Sequence, residues 1–335
     1  MLKEAMLWEI SEENKVKCNL CAHACKISPD HLGICRVRRN DEGKLNSVIY
    51  GSVSSMNVDP IEKKPLYNFH PGSNVYSLGT IGCNFRCKHC QNSSISFADI
   101  DHSSYLREVS PEEIIQAAKE RRCQGIAWTY NEPTIWFEFT YDTSILAKEE
   151  GLYTVYVTNG FMSESALDKI SPYLDAANVD VKAFREDFYK DICGGSLKPV
   201  LETCERMREK GIHLELTYLV IPTKNDDPLE IREFCEWAVS IGEDIPLHFS
   251  RFHSSHHLLD LPITPIDTLE TAYRIAKEAG IQYVYLGNIQ SHRSENTYCP
   301  NCGEVVIERM GYNISSRVKS YDACPRCSAK LNIIG

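Results

Sequence analysis

Three cysteines within eight residues, Cys83, Cys87 and Cys90, most constrain what this chain can become. They form a C-x3-C-x2-C loop directly after a short apolar run (Val75, Tyr76, Leu78) that reads as a strand. Three thiolates this close together hold metal. A four-iron cluster bound by three cysteines keeps one iron without a protein ligand, and an open coordination position marks a catalytic metal site rather than a structural one. The competing reading is a zinc ion held by the three cysteines and His89. Because His89 adjoins Cys90 in the chain, the two can hardly serve one tetrahedral ion.

The spacing resembles the cluster loop of the radical S-adenosylmethionine (SAM) superfamily. That resemblance implies a [4Fe-4S] cluster on Cys83, Cys87 and Cys90. It further implies that the amino and carboxylate groups of SAM chelate the fourth iron, and that SAM is cleaved reductively to a 5'-deoxyadenosyl radical. His89 falls on the family position that packs beside the adenine.

All but four of the fifteen cysteines fall into three tight groups. In a chain whose first residues, with Lys3, Glu4 and Glu9, lack the plan of a signal peptide, this density points to metal rather than disulfides. We therefore expect a cytoplasmic protein. The remaining Cys123, Cys193, Cys204 and Cys235 lie in apolar or helical patterns and read as buried small hydrophobes, with Cys193, before Gly194-Gly195, on a loop that could be exposed. The net charge of -10 argues against broad nucleic-acid or anionic-membrane binding. Arg36-Val37-Arg38-Arg39 is the basic exception and reads as a solvated face.

Three units are expected. Residues 1–70 carry Cys18, Cys21, Cys25 and Cys35, a metal-site density in a loop-rich segment that fits zinc or an iron–sulfur cluster equally; His23 could replace one cysteine but reads better as solvent-facing. From Val48 to Pro71 the turn residues suggest a wrap-around linker. Residues 71–290 alternate helix and strand, with strands near 75–79, 126–130, 153–157, 177–181, 213–220, 246–251 and 281–286. This predicts an α/β fold with a parallel sheet in a full or partial (β/α) barrel; no G-x-G-x-x-G follows the first strand. Gly125, Gly151, Gly211 and Gly280 read as the left-handed residues that end helices, while Ser110-Pro111 and Asp227-Pro228 read as helix starts. Residues 291–335 hold Cys299, Cys302, Cys324 and Cys327 in two C-x2-C knuckles, a zinc-ribbon pattern.

Barrel enzymes carry their chemistry on loops after the strands. Those positions here are Tyr130-Asn131-Glu132-Pro133, Thr158-Asn159-Gly160, Asp180 and Lys182, and Ser250-Arg251-Phe252-His253. A SAM ligand needs an anion for its ammonium (Glu132), a cation for its carboxylate (Lys182) and short polar groups for its ribose (Thr158, Asn159, Asp180).

Over nearly its whole length the chain resembles the radical SAM component of the AmmeMemoRadiSam system, a relative of pyruvate formate-lyase activating enzymes. The matching stretches are Cys18 to Cys35, Asp59 to Leu66, the Cys83 loop, Tyr130 to Thr134, Asp175 to Lys182, His248 to His253 and Glu295 to Pro300. The resemblance implies that Asn131 and Glu132 contact the SAM amino group and that Thr158, Asn159, Asp180 and Lys182 are SAM-contacting strand ends. It sets His253 near the nucleoside. It also implies a reducing partner such as flavodoxin or ferredoxin, and a protein substrate by analogy with the activases. Tyr130-Asn131 stands where a glycine pair is usual, and the extra cysteines lie at the chain ends rather than after the SAM loop. Glycyl-radical activation is the alternative within the enzyme class; a non-catalytic zinc-binding interaction protein is the alternative outside it.

Overall fold

The apolar runs form one eight-stranded sheet. A computed structural model describes residues 1–100, 105–289, 293–318 and 321–335. The strands are β1 (Ser55–Pro60), β2 (Asn74–Gly79), β3 (Gly125–Trp128), β4 (Tyr153–Thr158), β5 (Ala176–Asp180), β6 (His213–Val220), β7 (Leu247–Arg251) and β8 (Val284–Gly287). They lie side by side in sequence order, and every pair from β2 to β8 is parallel. β1 and β8 each have one strand neighbour, so the sheet is an open, partial barrel. Six helices cross between strands: Pro111–Glu120, Phe137–Glu149, Glu164–Ile170, Lys198–Glu209, Pro228–Ile241 and Ile266–Ala279. Parallel strands need such crossovers, and the helices bury both the sheet's outer face and their own apolar stripe.

Helix starts follow the sequence. Ser110 and Glu113 form a reciprocal capping box with Pro111 at the first helical position, and the Asp227 side chain accepts from Leu229 N. Gly151, Gly211 and Gly280 have positive φ. Gly125 does not end its helix. Arg122 (φ 56°) makes the left-handed turn, and Gly125 lies inside β3, where a Cβ would sit 2.1 Å from the Tyr153 ring. The position demands glycine for close strand packing rather than for its backbone freedom.

The segment read as a linker is structured. Ser55–Pro60 is the antiparallel edge strand beside β2. Ile61, Leu66 and Phe69 then pack against Val75, Ala127, Tyr153, Val155 and Ala176 on the sheet's inner face. Residues 61–69 thus fill the interior that a closed barrel would fill with its own side chains. Glu215 of β6 pins this plug: its buried carboxylate accepts from Tyr67 N (3.0 Å), Asn68 N (2.7 Å), His213 Nε2 (3.0 Å) and His248 Nε2 (2.6 Å). The turn residues misled because the segment's structure comes from surfaces far away in sequence.

Residues 1–47 are loop-rich, as expected, and their short strands form two small three-stranded antiparallel sheets. The basic run is a solvated face only in part: Arg36 is exposed and Arg39 half-buried, but Val37 is buried, and Arg38, 1% exposed, pairs with Glu138 at 2.9 Å. An internal ion pair of this kind cannot be told from a surface charge by sequence alone. At the other end, Val305–Met310 and Asn313–Ser316 make a hairpin. It docks through Arg309, which donates to Tyr67 O at 2.7 Å and stacks on the Tyr67 ring. Asn332 contacts Asp244 and Tyr283, just before β7 and β8, so this unit packs at the N-terminal ends of the strands, away from the barrel mouth. The boundary expected at 290/291 lies outside the described residues. No helix among the described residues is long and apolar enough to cross a membrane.

Candidate active site

At the C-terminal ends of the strands a cavity of about 300 Å³ is lined by Cys83, Cys87, Cys90, His89, Asn131, Glu132, Asn159, Asp180 and Lys182. These were singled out from distant stretches of sequence, and the parallel register brings them to one place. Thr158 stands just behind, donating to Glu132 Oε1 at 2.7 Å. His253 is exposed and outside the lining.

The cysteine loop is tied down on three sides. Asn131 accepts from Thr80 N (3.2 Å) and donates to Gly82 O (2.9 Å), while Asn92 Nδ2 donates to Tyr130 O (2.6 Å). Tyr130 takes positive φ (74°) and donates from its hydroxyl to Asp59 at 2.8 Å; Lys64 bonds the same carboxylate oxygen at 2.7 Å. Asn131 and Tyr130 therefore clamp the loop. On the far side, Arg86 N and Lys88 N donate to Cys193 O (2.7 Å) and Ile192 O (2.9 Å) of a π-helical turn, Tyr189–Cys193. Cys193 is fully buried, as its reading as a small hydrophobe expects, and the loop it precedes does not expose it. It faces Cys87, whose thiol pKa is raised first by their hydrogen bond and then by burial. Burial and the nearby Glu132 likewise push the Cys83 thiol up. Metal binding would have to release these protons.

Glu132, 1% exposed, accepts from Thr134 N (2.9 Å), Thr134 Oγ1 (2.6 Å), Thr158 Oγ1 and Asn159 N (2.8 Å). Its first task is to join the loops after β3 and β4. Asn159 Nδ2 donates to Asn84 Oδ1 at 2.7 Å and lies 3.9 Å from Cys83 Sγ. Lys182 Nζ donates to Asp180 at 2.7 Å. Burial disfavours the ammonium, but Asp180 and Cys87 outweigh it and hold its pKa above the usual lysine value. His89 is 4% exposed, its pKa pushed down to about 3 by burial and by Lys182, and its Nδ1 has no partner among the described residues. A buried ring nitrogen without a partner is rare, and this one belongs to a residue of the cavity wall.

Sequence reasoning missed Gln91, Ser96, Thr217, Leu219 and Asn288 in the lining. Thr217 and Leu219 carried a signal, since they alternate with buried residues on a strand already identified.

The C-terminal cysteines are the one group among the described residues whose ligand atoms all lie within 4.8 Å of one another. Cys299–Cys327 and Cys302–Cys324 sulfurs are each 3.7 Å apart. His23, rather than facing solvent, donates to Asn84 O at 2.7 Å.

A family profile described as the radical SAM superfamily matches residues 78–235. An uncharacterized protein of Methanocaldococcus jannaschii is 45% identical over 99% of this chain and 100% of its own length. The chain belongs to the radical SAM superfamily. Within it, the pyruvate formate-lyase 1-activating enzyme of Escherichia coli is 23% identical, over 51% of this chain and 71% of that protein. The fold matches Streptococcus suis SuiB, solved bound to S-adenosylmethionine, with a TM-score of 0.50 and 12% identity. That match covers 69% of this chain and 53% of SuiB, about half the larger protein.

Proposed function

We propose that this radical SAM protein binds a [4Fe-4S] cluster on Cys83, Cys87 and Cys90 and SAM in the adjoining cavity, and abstracts hydrogen from a substrate. The carrying observation is the convergence of three cysteines, an unpartnered buried His89 Nδ1 and the Asp180–Lys182 pair on one cavity. Those residues fit the group: His89 offers a neutral acceptor, Lys182 a cation for a carboxylate, and Asp180 an acceptor for hydroxyls. When bound, cluster and SAM together supply a 5'-deoxyadenosyl radical, and the protein's part is to bind, orient and exclude water. Asn131, Asn92 and the 189–193 turn hold the loop; Glu132 and Asn159 fix the strand ends behind it. His253, exposed in the free chain, has no assigned contact in this reading.

The units 1–70, 71–290 and 291–335 are read as an accessory metal module, the catalytic domain and a zinc module. A tetrahedral zinc ion with bonds of about 2.3 Å sets its sulfurs about 3.8 Å apart. The 3.7 Å pairs at the C-terminus agree. Reduction requires an external one-electron donor of the flavodoxin or ferredoxin class. The names of the activating-enzyme relatives favour a protein substrate, with glycyl-radical formation as the activity to try first.

The test is anaerobic. Protein reconstituted with iron and sulfide, reduced and mixed with SAM should yield 5'-deoxyadenosine, and the Cys83/Cys87/Cys90→Ala variant should not. No product from the wild type, with zinc in every site, would replace this reading by a metal-binding interaction protein.

A further inference from the structure

A second concave surface, of about 510 Å³, lies against the cysteine loop and is lined by Leu32, Gly33, Ile34, Arg36, Arg86 and Asp99. It shares no lining residue with the cavity described above. Its walls come from the N-terminal unit and from the loop itself, and Arg86 joins the two. Nη1 of Arg86 donates to Cys83 O (2.8 Å) and Phe85 O (3.0 Å), and Nη2 donates to Ile34 O. All three acceptors are neutral carbonyls, so the guanidinium keeps its charge without a bonded carboxylate. Arg36 and Lys88 are exposed, and neither has an ion-pair partner among the described residues. Asp99, the one acid among the described lining residues, is itself engaged.

The basic face continues across the loop. Arg86 lies over the Phe97 ring (5.4 Å), Phe97 stacks on His256 (4.9 Å), His256 lies against His257 (3.8 Å), and His257 N donates to Lys88 O (2.9 Å). Within this rim Leu32 and Ile34 are exposed apolar side chains. In a chain of net charge -10, cations without carboxylate partners gathered around apolar residues run against the general surface. Such a field draws in and orients an acidic partner before contact. A small apolar centre with a charged rim is also the make-up of transient protein contacts, electron-transfer encounters among them. The patch is built on the cysteine loop and leaves the catalytic cavity out, so a protein seated there meets the metal-binding loop without entering the substrate's space.

We infer that the face formed by Leu32, Ile34, Arg36, Arg86 and Lys88 docks an acidic, low-potential electron-carrier protein. From there one electron passes from the reduced carrier to the cluster on Cys83, Cys87 and Cys90, oxidising the one and reducing the other with no bond made or broken. The transfer rests on the function proposed above; the docking does not.

The experiment uses the full-length protein, reconstituted anaerobically with iron and sulfide, and an acidic flavodoxin as the probe. Binding is read directly by calorimetry, and 5'-deoxyadenosine formation is followed separately with reduced flavodoxin or with dithionite. Arg36→Glu should weaken flavodoxin binding about tenfold and raise its KM by a similar factor, with Arg36→Gln between it and the wild type. Leu32→Asp, which sets a like charge at the centre of the face, should act in the same direction. Iron content and the dithionite-driven rate should stay at the wild-type level in all three, because dithionite needs no docking. Equal flavodoxin affinity in the wild type and the variants would overturn the inference. An equal fall with both reductants would do so too, since it marks a structural role. A single-stranded oligonucleotide bound as tightly as flavodoxin would assign the face to polyanions in general and overturn it as well. A wild type that binds flavodoxin through Arg36 but forms no product with dithionite would sink the proposed function and keep the docking face; product with dithionite and no flavodoxin binding would do the reverse.

Discussion

At the residue scale the site is a set of clamps. Glu132 looks like a ligand for a cation, yet its oxygens are already shared by four donors from Thr134, Thr158 and Asn159. Glu132→Ala would orphan two backbone N–H groups in a dry site, at about 1–3 kcal/mol each. We expect a thermal midpoint lower by several degrees even in metal-free protein; an unchanged midpoint would mean that the carboxylate does not join the strand ends. The cysteine spacing and strand-end polar residues were legible because both are local patterns. The burial of Arg38 was not. Whether a charge is buried depends on what packs over it, here Glu138.

At the element scale glycine has two distinct uses. Gly195 allows the 189–195 turn to press on the cysteine loop: a Cβ there would lie 2.3 Å from the Phe85 ring. Gly151 faces open space but sits at φ 71°. Gly195→Ala should therefore lower iron bound per chain after reconstitution by displacing Phe85. Gly151→Ala should cost about 1 kcal/mol of stability and leave iron unchanged. Equal iron in both variants would separate the turn from the loop it supports. The strands themselves were legible to within a few residues from apolar runs and helix caps. β1 and the plug were hidden, since a segment rich in proline and asparagine takes its form from the surface it covers.

At the scale of the whole molecule Glu215 links the sheet to the plug. Burial alone would raise its pKa, but the hydrogen bonds from His213 and His248 prevail and hold it at about 2 against an ordinary 4.5. A folded-state value below the unfolded one means that the unfolded chain binds the proton more readily. The pair of histidines thus contributes roughly 3 kcal/mol above pH 4.5, lost as pH falls towards 2. Glu215→Gln should be less stable than wild type at pH 7, with the gap closing on acidification. A gap independent of pH would show that the carboxylate charge is not what holds the plug.

The plug also sets an order of events during synthesis. Its outer side is closed by residues from the far end of the chain, where Ile334 bridges Phe69 and Asn332 bonds Asn68. While the chain is still emerging from the ribosome, the strands can pair in sequence order, each beside the one made before it. Asn68 and Phe69 therefore gain their last hydrogen-bonded partners only when residues 332–334 arrive, after every strand of the sheet has been made.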